Sequence, residues 1–211
     1  MKKYEFTGET KQVGFFGNIT LKRIRATMEF GIIKIGDLGG WIEKEENLSH
    51  KGDAWVYGNA KVWGNAKVYG NAEVWGDAWV YGDAKVYGNA EVYGDAKVYG
   101  NAEVWGDAWV YGNAKVWGNA KVYGNAKVWG NAKVFSISHV LVVGPIGSRN
   151  DFTTFFRDKD SEITVKCGCF LGKIDKFLEK VCETHGDSKY AIVYRTAAEI
   201  AKQQIDLSEE N

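Results

Sequence analysis

From Gly52 to Phe135 the apolar positions keep a six-residue beat: Gly, Asn or Asp, Ala, a variable residue, Val, then an aromatic, as in "GDAWVYGNAKVWGNAKVYGNAEVW". Glycine opens a unit at every sixth position from Gly52 to Gly130, fourteen units in all. The alanine column (Ala54 to Ala132) and the valine column (Val56 to Val134) run without exception. Six is neither a helix period nor a hairpin period. It divides into a short strand, Ala-x-Val-aromatic, in which alternation turns Ala and Val inward and sends x and the aromatic outward. The Gly-Asn or Gly-Asp pair makes the corner, because both types tolerate the positive-φ backbone of a tight bend. Ala and Val enclose a narrow prism, too thin for aromatic rings.

The string "VYGNAKVWGNAKVYGNA" resembles the hexapeptide repeat of left-handed parallel β-helix proteins. In that family three units make one triangular coil. The resemblance therefore implies roughly 4.7 coils stacked at about 4.8 Å, a prism on the order of 22 Å long. One departure stands out: the residue after the aliphatic is aromatic in every unit here. The wider string "GDLGGWIEKEENLSHKGDAWVYGNA" is similar to hexapeptide-repeat proteins frequent in bacteriophages and prophages, which implies a context and not an activity.

With three units per coil the outward residues sort onto three faces. The first collects Trp55, Tyr57, Trp75, Tyr93, Trp109, Tyr111 and Trp129, and the second sets Lys61, Lys97, Lys115 and Lys133 beside aromatics. The third carries Tyr69, Tyr87, Trp105 and Tyr123. Two readings of the first face stand side by side. Stacked rings stabilise a sheet by cross-strand packing. A contiguous apolar patch larger than a few hundred Å² also marks an interface, and the resemblance implies assembly as a homo-oligomer, trimer or dimer. Lysines alternating with aromatics on the second face fit either a polyanion track or an ordinary solvated strand face.

The ends of a solenoid need caps. Residues 1–51 close one end, with Trp41 and Ile42 placed to plug the first coil; 52–135 form the β-helix; 136–211 form a C-terminal α+β module. In that module "HVLVVGPIGSRNDFTTFFRD" reads as strand, glycine turn, strand, and "SEITVKCGCFLG" as a third strand. "KIDKFLEKVCETHG" and "KYAIVYRTAAEIAKQQI" read as two helices. The fold class is mainly β, a fourteen-unit left-handed parallel β-helix with two caps.

Near-identical repeats offer few distinct chemical groups, so a specific site is expected where different groups converge. That happens after Ser136, at Gly147, Ser148, Arg149, Asp151, Arg157 and His185. The turn "VGPIGSRND" can offer backbone N–H groups to a phosphate, with Arg149 as a two-pronged partner. It lacks the lysine and helix start of a P-loop, and it also reads as a plain loop. Cys167, Cys169, Cys182 and His185 admit a zinc site on count alone, but the Cys-x-Cys spacing suits thiols buried in the module; no metal and no cofactor are expected.

The resemblance also implies a test for catalysis, since acyltransferases on this scaffold use a histidine base near the coils. Between Gly52 and Phe135 there is no histidine and no cysteine, so a non-enzymatic binding or scaffolding protein is the expected class, and an acyltransferase the alternative. In a phage setting the expected target is a host protein or a small anionic ligand, phosphorylated forms included. Lys plus Arg and Asp plus Glu balance at 27 each, which argues against a generic nucleic-acid binder. The start "MKKYEFTGETKQ" has no apolar core, no run spans a bilayer, and three cysteines suit a reducing compartment. A cytoplasmic location is expected.

Overall fold

The computed structural model describes residues 2–208. Two-residue strands recur every six residues from β4 (Trp55–Val56) to β17 (Lys133–Val134). From β4 to β14 (Lys115–Val116) each pairs in parallel with the strand eighteen residues on, so that Val56, Val74, Val92, Val110 and Val128 lie in one register column. The result is a parallel β-solenoid of about five turns with three sheets. The three faces read from the sequence are these three sheets. Alanines and valines from Ala54 to Val134 fill the interior, each at most 1% exposed. Corner glycines from Gly52 to Gly130 all sit at positive φ, between 53° and 74°, where a side chain is strained. Beside them Asn side chains form ladders: Asn65 Nδ2 donates to Asp83 Oδ1 at 3.0 Å and Asn89 Nδ2 to Asp107 Oδ1 at 3.0 Å.

From Trp63 to Phe135 the outward aromatics meet one a turn away. Trp75, Tyr93 and Tyr111 stack at 4.5 Å intervals, and Tyr69–Tyr87 and Tyr81–Tyr99 lie nearly parallel at 4.8 Å. Offset stacking of this kind adds stability beyond the area it buries.

The N-terminal cap is a meander of β1 (Tyr4–Val13), β2 (Ile19–Ala26) and β3 (Leu38–Ile42), and β3 joins the second solenoid sheet in parallel through β5 (Lys61–Val62). Ile42 enters the core as the sequence predicts. Trp41 does not: strand alternation turns it out onto Trp63 and Leu21. Trp55 departs the other way. It occupies an outward position of its unit, yet it is fully buried, because Tyr4 and Phe30 close over it at ring distances of 6.2 and 5.3 Å. The first coil has no coil below it, and the cap supplies the missing neighbour. Trp55 is therefore part of the core and not of an exposed face.

Lys3 caps the same coil. Its buried Nζ donates to the carbonyls of Ala54 at 2.6 Å and Gly52 at 3.1 Å, and burial lowers its pKa to about 8 against a weaker opposing pull from Asp53. The folded value lies below the unfolded one, so the unfolded chain holds the extra proton between the two and stability rises with pH across that window. Above pH 10 unfolded tyrosine begins to ionise while buried Tyr4, its pKa raised by burial, does not, which works the other way. The urea midpoint is expected to climb from pH 8 to 10, and Lys3→Met to flatten the climb. An equal slope in both proteins would contradict the assignment.

The C-terminal module is an antiparallel sheet, β18 (Val140–Ile146), β19 (Asp151–Arg157), β20 (Ile163–Cys167) and β21 (Phe170–Lys173), followed by helices α1 (Ile174–His185) and α2 (Lys189–Gln204). The segment read as one third strand is a hairpin: Gly168, at φ 53°, reverses the chain between β20 and β21. Alternation gives the sheet two apolar faces. Phe155 and Val165 pack with the helices, whereas Phe156, Val140 and Val142 pack on the last coil and close the prism. The Lys127 amide donates to Thr154 Oγ1 at 2.9 Å and the Lys159 amide to the Asn131 carbonyl at 3.0 Å, satisfying edge groups of the final turn. Among the described residues no helix is long and apolar enough to cross a membrane.

Candidate functional site

The turn between β18 and β19 is held from behind by α2. A Cβ at Gly147 would lie 1.9 Å from the Tyr194 hydroxyl, so only glycine lets Tyr194 reach the turn. The Tyr194 pKa is raised by burial first, then by Cys167, while its contacts with Ser148 oppose the rise. Cys167 also accepts from Thr153 Oγ1 at 3.3 Å. Tyr194 thus pins the turn that carries Ser148 and Arg149 to the sheet beneath.

A second glycine, Gly168, leaves room for the Arg149 side chain. Its Nη1 would lie 2.7 Å from a Cβ at Gly168, so the guanidinium rests against the turn joining β20 and β21. Arg149 is exposed, and no ion pair involving it occurs among the described residues. At the end of α1, the His185 ring lies on Tyr194 at 5.7 Å and 29°.

Ser148, Arg149 and His185 line one cavity of about 580 Å³, shared with Lys180, Tyr194 and Phe170. That volume falls within the range of small-molecule sites. A smaller hollow of about 250 Å³ opens where β21 meets the last coil. Its charges are already matched, since Lys173 Nζ pairs with Asp158 Oδ2 at 2.6 Å and with Glu162. In the larger cavity Lys180 pairs with Glu183, and Arg149 has no ion pair among the described residues.

The other nominated residues lie elsewhere. Arg157 is a buried junction residue: its guanidinium sits 5.0 Å from the Phe135 ring and Nη2 donates to Ser161 Oγ at 2.7 Å. It ties the module to the final coil because β19 runs directly over that coil. Asp151 is exposed outside the cavity, its Oδ1 accepting the Phe152 amide at 2.7 Å. Gly147 acts through Tyr194. Sequence reasoning missed Tyr194 and Lys180, whose helical spacing from Val181, Ala191 and Ala198 reads as ordinary amphipathic pattern.

The cysteines do not converge. Cys167 and Cys169 line the cavity, Cys182 does not, and Cys169 and Cys182 are exposed, which corrects the expectation of buried thiols. Gly168 puts Cys169 in the hairpin turn, and Cys182 faces away from the core of α1. Among the described residues no three His, Cys, Asp or Glu side chains gather to hold a metal ion.

On the first face, Tyr57 Oη donates to Glu73 Oε1 at 3.0 Å, Trp109 lies under Lys127 at 5.0 Å, and Tyr111 is covered by Tyr93 and Trp129. Of that ladder only Trp75 is among the exposed large apolar side chains.

These features define a parallel β-solenoid that carries a small α+β module with a cavity beside its helices. No family model matches the chain, and no curated protein matches it.

Proposed function

We propose that this is a non-enzymatic binding protein whose C-terminal module holds a small anionic ligand, with Ser148, Arg149 and His185 as its recognition groups and the solenoid as a rigid support. The observation that carries this reading is Arg149: a guanidinium beside a glycine turn, at a cavity, with no carboxylate partner among the described residues. A fixed guanidinium suits phosphate or carboxylate as a two-pronged donor, which lysine cannot imitate. We also read the coil as left-handed and of the hexapeptide-repeat type, on the six-residue unit and the inward Ala and Val columns.

The test compares three proteins by calorimetric titration with inorganic phosphate: wild type, Arg149→Ala, and a deletion of 82–99 that removes one turn in register. Losing one charge-assisted contact costs about 1.5–3 kcal/mol, so Arg149→Ala is expected to weaken binding at least tenfold with its melting temperature unchanged. The deletion is expected to bind as the wild type does. Binding lost in the deletion and kept in Arg149→Ala would move the function onto the coils.

A further inference from the structure

The cavity lining mixes two chemistries: Arg149, Ser148, Lys180 and His185 bring polar and basic groups, and Phe170, Phe177, Val181 and Tyr194 bring rings and apolar surface. Phe177 lies 5.5 Å from Phe170 and 5.6 Å edge-on from Tyr194, so the three rings pack as one cluster behind the cavity. Phe177 and Tyr194 are buried in the module core, whereas Phe170 is half-buried at the margin. At about 580 Å³ the space is far larger than a bare phosphate and falls within the range of whole small-molecule sites. Such a lining suits an occupant with an anionic head and a flat ring.

Resting on the anion-binding reading above, we propose that the ligand is a nucleoside monophosphate, its phosphate on Arg149 and Ser148 and its base against Phe170. A planar base fits an aromatic ring without needing a full set of edge hydrogen bonds, because every base presents a π face. Arg149, without an ion pair among the described residues, is the cation for the head, while Lys180 shares its charge with Glu183 at 3.0 Å. Phe170 is the ring that can give a face to a ligand without unpacking the core.

The experiment titrates the full chain with inorganic phosphate, ribose 5-phosphate and each of AMP, GMP, CMP and UMP, then repeats it with Phe170→Ala and Phe170→Leu. At least one nucleotide is expected to bind ten or more times tighter than ribose 5-phosphate, and Phe170→Ala to remove most of that margin while leaving phosphate and ribose 5-phosphate affinity unchanged. Phe170→Leu, which keeps apolar bulk without the ring, separates stacking from filling and is expected to lose the margin too. If the nucleotides bind no better than ribose 5-phosphate, the nucleotide proposal falls and the anion reading stands. If nothing binds, both fall.

Discussion

Val92→Lys is expected to abolish folding. Val92 is fully buried, with Val74 and Val110 directly above and below it. The surrounding prism contains only alanine and valine side chains, so a lysine there finds no partner, and an unpaired buried charge is among the few changes that cost more than about 4–5 kcal/mol. That is a large part of the roughly 5–15 kcal/mol by which a domain is stable. The control is Lys67→Gln, at an exposed outward position of another unit, expected to fall within about 0.5 kcal/mol of wild type. Circular dichroism and the soluble fraction after expression separate the two. A soluble Val92→Lys protein with a cooperative melt would contradict the packed Ala and Val interior.

Gly147→Ala carries the second large effect, and it is confined to one end of the molecule. The new methyl would meet the Tyr194 hydroxyl at 1.9 Å, at a backbone φ of 71°. Backbone strain and overpacking each cost about 1–3 kcal/mol, so a destabilisation of about 2–4 kcal/mol is expected in the module. Hydrogen exchange should speed up in β18, β19 and α2 and stay unchanged in the coils from Val74 to Val110. Tyr194→Phe, which loses only the hydroxyl contacts, is expected to cost about 1 kcal/mol. Exchange rates unaltered by Gly147→Ala would show that the turn is not clamped by Tyr194.

The solenoid was legible because its signal repeats. Eighteen-residue register follows from the unbroken Ala54 and Val56 columns once three units close a turn, and the pairing Val56–Val74–Val92 agrees with it. Single residues at the ends were not legible, for a physical reason: at a terminus, exposure is decided by what another segment lays on top. Trp55 has the same local pattern as Trp79 and Trp109 and differs only in lying beneath Tyr4 and Phe30. Arg157 has the composition of a ligand-binding residue, and only the docking of β19 on the last coil makes it a buried tie to Phe135 and Ser161. Ser148, Arg149 and His185 line one cavity, and the glycine turn that carries the first two is a local feature of the sequence. Tyr194, which fixes that turn from 46 residues away in sequence, leaves no local mark.

The central claim is that recognition belongs to the cavity beside α1 and α2 and not to the aromatic ladders. Nuclear magnetic resonance of the isotopically labelled full chain, titrated with inorganic phosphate, tests it most directly. The account predicts saturable shifts at Ser148, Arg149, Lys180 and His185, with Trp75, Tyr93, Tyr99 and Tyr123 unmoved. Shifts along those rings, with the 147–150 turn and His185 silent, would contradict it.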